Sequence, residues 1–149
     1  YHLKQYNNRW FLFGWEESKN YTGITNLALD RIINISETIE DIIPNDVDWA
    51  DYFDDMIGVS RPNNKDLVEL KLRFSVKRLP YVITKPIHGA SQRLDRNDPE
   101  ERTVILNLLP NYEMYQAILS FGDDVEIISP VEVRDTMKEI TNKMNQLYN

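Results

Sequence analysis

Residues 67–74 read Leu-Val-Glu-Leu-Lys-Leu-Arg-Phe, and this stretch decides the fold of the chain's second half. Val68, Leu70, Leu72 and Phe74 fall on one face. Glu69, Lys71 and Arg73 fall on the other, with Leu67 as its only apolar member. A period of two predicts a strand with one side in a core and one side in water. Downstream, the spacing predicts a short helix over 77–84 with Pro80 early in it, then strands over 91–96 and 102–109 joined through Asn97-Asp98-Pro99. A helix over 112–120 closes at Phe121-Gly122. A strand over 125–128 follows, and a terminal helix over 130–148 opens on a proline. The order βαββαβ plus a last helix is the split βαβ, or ferredoxin-like, arrangement.

Upstream, the pattern changes. Tyr1 to Tyr6 alternates, Asn7-Asn8 is a turn pair suited to left-handed geometry, and Arg9 to Trp15 is aromatic and apolar on both faces, as a central strand is. Residues 16–21 predict a polar turn, and 22–35 a long third strand with Gly23 at a bend. Trp49, Tyr52, Phe53, Met56 and Ile57 recur at helical spacing before Gly58. They predict a short amphipathic helix that lays its aromatic rings on a neighbouring domain. Arg61-Pro62-Asn63-Asn64 reads as linker. Because Tyr1 sits inside a strand pattern, the chain reads as a fragment whose first module lacks earlier strands.

Charge supports three segments. The 149 residues hold 17 Lys and Arg against 24 Asp and Glu, a formal charge of −7. Residues 34–64 contain eight carboxylates against Arg61 alone, so the excess lies in a solvated connector between two near-neutral modules. The expected organisation is therefore 1–35 barrel strands, 36–64 acidic connector with a short helix, and 65–149 a ferredoxin-like module. A net acidic chain is not a duplex-coating protein, so contact with nucleic acid must come from a local patch. No apolar run reaches a membrane span, and the absence of cysteine excludes thiol chemistry and fits a reducing cytoplasm.

The segment Tyr1-His2-Leu3-Lys4-Gln5-Tyr6-Asn7-Asn8-Arg9-Trp10-Phe11-Leu12-Phe13-Gly14 resembles the signature strand pair of the WYL domain. Leu29-Asp30-Arg31-Ile32 is similar to the motif that follows it. Pro86-Ile87-His88 with Ser91-Gln92, and Leu119-Ser120-Phe121-Gly122-Asp123-Asp124 through Pro130, resemble the extension found C-terminal to WYL domains. Phe11 stands where that motif has tyrosine. The resemblance implies an α+β chain made of a partial SH3-like (Sm-like) β-barrel and a ferredoxin-like module. It also implies a bacterial transcription regulator whose helix-turn-helix domain lies outside this chain.

Chemistry is sparse. His2 and His88 are the only histidines, and the five glycines form no phosphate loop. Asp46, Asp48 and Asp51 suggest a calcium loop, but Asp51 and Ile57 stand where that loop needs glycine and glutamate. No catalytic residue, metal site or cofactor is expected, and the chain reads as non-enzymatic.

Binding is better founded. His2 and Lys4 share a strand face, Arg9 begins the next strand, and Arg31 lies in the later half of the third strand. Trp10 or Phe11 offers a ring for base stacking, with Arg9 and Arg31 as phosphate partners. From the residues alone a bland reading stands beside this one, with the rings as core and Arg31 paired to a carboxylate. The WYL resemblance implies the sensor: His2, Lys4, Arg9, Trp10, Phe11 and Arg31 bind a nucleotide or short single-stranded nucleic acid, and the chain forms a homodimer. The competing expectation is a purely structural dimerisation module without a ligand.

Overall fold

A computed structural model describes residues 1–17, 22–41, 44 and 46–149. The chain forms two compact units. The first holds Tyr1–Phe53 with Gly58–Ser60, and the second holds Asp54–Ile57 with Arg61–Asn149. The stretch read as a connector is thus divided between them. It is a mixed α+β chain with two antiparallel sheets and four α-helices among the described residues.

The first unit is a three-stranded sheet of β1 (His2–Tyr6), β2 (Arg9–Glu17) and β3 (Thr22–Ala28), with β2 in the centre. Asn7 and Asn8 take φ of 47° and 61°, the left-handed pair that a two-residue hairpin requires. Residues 18–21, the last four of the predicted polar turn, lie outside the described residues. The third strand is shorter than its sequence predicts. It ends at Ala28, and Leu29–Arg31 form a 3-10 turn closed by the Ile32 amide on the Leu29 carbonyl. Ile33 and Ile35 are exposed and unpaired in any strand, so the alternation that suggested continuation buries nothing.

Helix α1 (Trp49–Asp54) is also shorter than the periodicity suggested. The Asp48 carboxylate accepts hydrogen bonds from the Ala50 and Asp51 amides, which caps the helix start. Its aromatic rings pack on the first sheet, the strand module that precedes the connector in sequence. Phe13, 1% exposed, meets Phe53 at 4.8 Å and the rings of Trp49 and Tyr52 at 6.2 Å each.

The second unit is a four-stranded sheet of β4 (Val68–Phe74), β5 (Arg93–Leu94), β6 (Thr103–Leu108) and β7 (Val125–Ser129), ordered β5-β6-β4-β7 and antiparallel throughout. Helix α2 (Leu79–Thr84) connects β4 to β5, α3 (Tyr112–Leu119) connects β6 to β7, and α4 (Val131–Leu147) ends the chain. The register sets Leu70 opposite Leu106, and Leu72 opposite both Val104 and Ile127. These residues form the sealed apolar face, covered by Val82, Met114, Ile118 and Val133 of the helices. Asn111 caps α3 through the Met114 amide and donates to the Ile57 carbonyl. Gly122, at φ 60°, supplies the turn after α3. Strand β5 keeps only two residues of the six-residue strand the sequence suggested, and the flanking Gln92 and Asp95 side chains bond to the Ile87 and Asn97 amides and to the Val82 carbonyl of α2.

Candidate functional site

The β1–β2 register sorts the sequence-predicted binding residues by face. His2 pairs with Phe13, Lys4 with Phe11, Gln5 with Trp10, and Tyr6 with Arg9. Directly opposed residues share a face and neighbours alternate. His2, Lys4, Arg9 and Phe11 therefore occupy one side of the sheet. Trp10 occupies the other, with Leu3, Leu12 and Leu27. Arg31 is not on a strand: it is the exposed last residue of the 3-10 turn after β3. So the structure brings four of the six residues to one side, and of the two candidate rings it places Phe11 with the cations.

The cations on that side already have internal partners. The His2 imidazole stacks on the Trp49 indole, 5.1 Å between centroids and 16° between planes, and lies 5.5 Å from the Phe53 ring. The Lys4 ammonium sits 3.7 Å above the centre of Phe53. A ring face attracts a cation through its quadrupole, by about 0.5–1 kcal/mol where water still reaches the pair. Partial burial also pushes the Lys4 ammonium below its ordinary pKa of 10.5, because desolvation disfavours the charged form. Arg9 forms an ion pair with Asp30 at 2.7 Å, with both side chains about half exposed. Sequence reading singled out the basic residues but missed Trp49 and Phe53 as their partners. Their signal was the helical spacing of the aromatic rings, which marks a contact face without saying which residues it meets.

The opposite side of the same sheet is apolar and open. Leu3, Trp10 and Leu27 are each about half exposed (53%, 48% and 51%).

In the second unit the polar residues that resembled the WYL-associated extension satisfy one another. His88 Nδ1 lies 2.8 Å from Ser91 Oγ, and that hydroxyl accepts the Asn107 amide. Gln92 accepts the Ile87 amide and donates to the Val82 carbonyl. This network fixes the loop before β5. Charged side chains around the four-stranded sheet also form ion pairs: Lys71 with Asp95, Arg93 with Glu69, and Arg134 of α4 with Glu126. The Lys71 hydrogen bond raises the lysine pKa and lowers that of Asp95. Hydrogen bonds from Thr103 to Asp98 and from Ser75 to Asp124 hold those two carboxyls below the usual range. Among the described residues no group of three or more His, Asp or Glu side chains is arranged to hold a metal ion, and no helix is long and apolar enough to cross a membrane.

The second unit is thus a four-stranded antiparallel sheet with its aliphatic side sealed by helices and with ion pairs among the charged side chains around it. Residues 66–144, just over half the chain, match the family model of the WCX domain, so the chain belongs to the WCX-domain family. WCX is a domain associated C-terminally with WYL domains, which supports a regulator of the WYL type. No curated protein matches the sequence.

Proposed function

We propose that the chain is the ligand-sensing and oligomerisation portion of a bacterial, cytoplasmic transcription regulator of the WYL type, without enzymatic activity. The first unit takes a nucleotide or short single-stranded nucleic acid on the side of the sheet bearing His2, Lys4, Arg9 and Phe11, with Arg31 reaching from the following turn. On this reading the first sheet is the later part of an SH3-like barrel. The second unit is a ferredoxin-like dimerisation module, a reading supported by its strand order and its alternation of strands and helices. Contact with duplex DNA belongs to a helix-turn-helix domain outside residues 1–149. A ligand can shift such a regulator only by its differential affinity for the two regulator states.

The observation that carries the reading is the register of β1 and β2, which gathers His2, Lys4 and Arg9 on a single side with the candidate ring of Phe11. A second reading, a structural dimerisation module with no ligand, is favoured by the Arg9–Asp30 pair, since internal carboxylates already satisfy the strongest cation.

Titration of a fluorescent ten-residue oligothymidylate into the protein at several salt concentrations separates the two. The sensor reading expects binding that weakens steeply with salt and is lost in Arg9→Ala and Arg31→Ala variants that remain folded. Absence of binding to any nucleotide or oligonucleotide leaves the structural module.

A further inference from the structure

The side of the first sheet proposed to receive a ligand is occupied by the chain's own aromatic helix. In 48–54 the sequence Asp-Trp-Ala-Asp-Tyr-Phe-Asp interleaves aromatic rings with carboxylates. Flat π-faces carried on a negatively charged strand are also the recognition features of single-stranded nucleic acid. The contacts follow that likeness. Trp49 lies parallel on His2 as a base would stack on an imidazole, and Phe53 takes the Lys4 ammonium on its face. At Arg9 an internal carboxylate, Asp30, holds the position a phosphate oxygen would take.

We infer that α1 is an intramolecular pseudo-ligand, an autoinhibitory cover on the His2–Lys4 side of the sheet that a nucleotide or single strand must displace. The inference rests on the ligand-binding reading above. Two features make the cover displaceable. At six residues, α1 is far below the length at which a helix persists alone, and none of its residues is fully buried. Within this unit the chain after the helix is held independently, by the Asn26 amide donating to the Val59 carbonyl at 2.6 Å. A lifted helix would thus keep an anchor on this sheet at Val59. While the open form is a minor population, apparent affinity falls by the open fraction.

The test uses the full chain and two readouts. Phe53→Leu keeps apolar volume but removes the ring face from Lys4, and Trp49→Ala removes the indole stacked on His2. Acetylation by N-hydroxysuccinimidyl acetate, followed by mass spectrometry, reports access to the Lys4 amine, with exposed Lys138 as internal reference. Anisotropy of a fluorescent ten-residue oligothymidylate reports binding. The expected result is faster Lys4 acetylation relative to Lys138 in both variants, and oligothymidylate binding tightened about tenfold where the closed form holds about nine-tenths of the population. That gain should be cancelled when Lys4→Gln is added to Phe53→Leu.

Faster acetylation with binding unchanged or weakened overturns the cover while leaving the ligand site standing. Unchanged acetylation in both variants overturns it as well, because Lys4 was then never screened by the ring. A freed Lys4 with no oligothymidylate binding in any variant removes the ligand reading and the cover together. Should Trp49→Ala fail to fold, Phe53→Leu decides alone.

Discussion

The two sheets of this chain bury their apolar residues by different means. In the second unit, aliphatic side chains from β4 and β6 interdigitate under three helices, and Leu70, Leu72, Leu106 and Leu108 have no exposed surface. In the first unit one side of a three-stranded sheet is closed mainly by aromatic rings from a six-residue helix. The other side leaves Leu3, Trp10 and Leu27 about half open. A shared aliphatic core is dense and intolerant of change. A cover of rings over cations is held by contacts worth less each, and its removal exposes groups with binding chemistry. The comparison teaches that the WCX-family half carries the sealed aliphatic core, and that the half proposed to bind a ligand is closed by an aromatic cover instead.

The sharpest break of that contrast is Phe13→Ala. Deleting the ring at the centre of the aromatic cluster should destabilise the first unit by about 3–5 kcal/mol. Amide hydrogen exchange should then rise across β1–β3 and stay low in β4 and β6. Equal loss of protection in both sheets would show that the units do not unfold separately. Next in size, Leu72→Ala should lower the stability of the second unit by about 2–5 kcal/mol in urea titrations, because Leu72 has no exposed surface and lies between Val104 and Ile127 in the sheet. A loss below 1 kcal/mol would mean that core is looser than its burial implies.

Acid distinguishes the halves a third way. Asp95, Asp98 and Asp124 belong to the second unit, and hydrogen bonds hold all three below the ordinary carboxyl value of 3.8. A depressed carboxyl pKa contributes stability that is present above 3.8 and is lost as pH falls through the lower folded-state value. Thermal melts between pH 5 and pH 2 should therefore show the second unit losing stability, and Asp98→Asn with Asp124→Asn should flatten that decline. A decline unchanged in the double variant would assign it to other groups. The smallest effect is expected at Arg9. Its partly exposed pair with Asp30 contributes at most about 1 kcal/mol to folding, so Arg9→Ala should barely move the melting curve while removing oligothymidylate binding.

Much of the second unit was legible in the sequence. Period-two alternation located β4 to within a residue, and the proline and glycine punctuation located α3 and α4, because burial there follows the local repeat. The predicted strand before Asn97 shrank to Arg93–Leu94, and the flanking Gln92 and Asp95 bond to amides in a way that no hydropathy pattern encodes. In the first unit the hairpin turn at Asn7-Asn8 was plain from residue type. The end of β3 was not, because Ile33 and Ile35 alternate like strand residues yet face water. For the candidate face, alternation alone separates Trp10 from Arg9 and Phe11. What it does not reveal is that His2 and Lys4 meet Trp49 and Phe53, residues about fifty positions away, a tertiary contact that no local repeat encodes.

Resonance mapping by heteronuclear NMR on the intact chain, with oligothymidylate added stepwise, addresses the central assignment most directly. The account predicts that perturbations concentrate on His2, Lys4, Arg9 and Phe11 and on the Trp49 indole, while Leu70, Leu72 and Leu106 stay still. Perturbations centred on the four-stranded sheet, or none at saturating oligonucleotide, would contradict it.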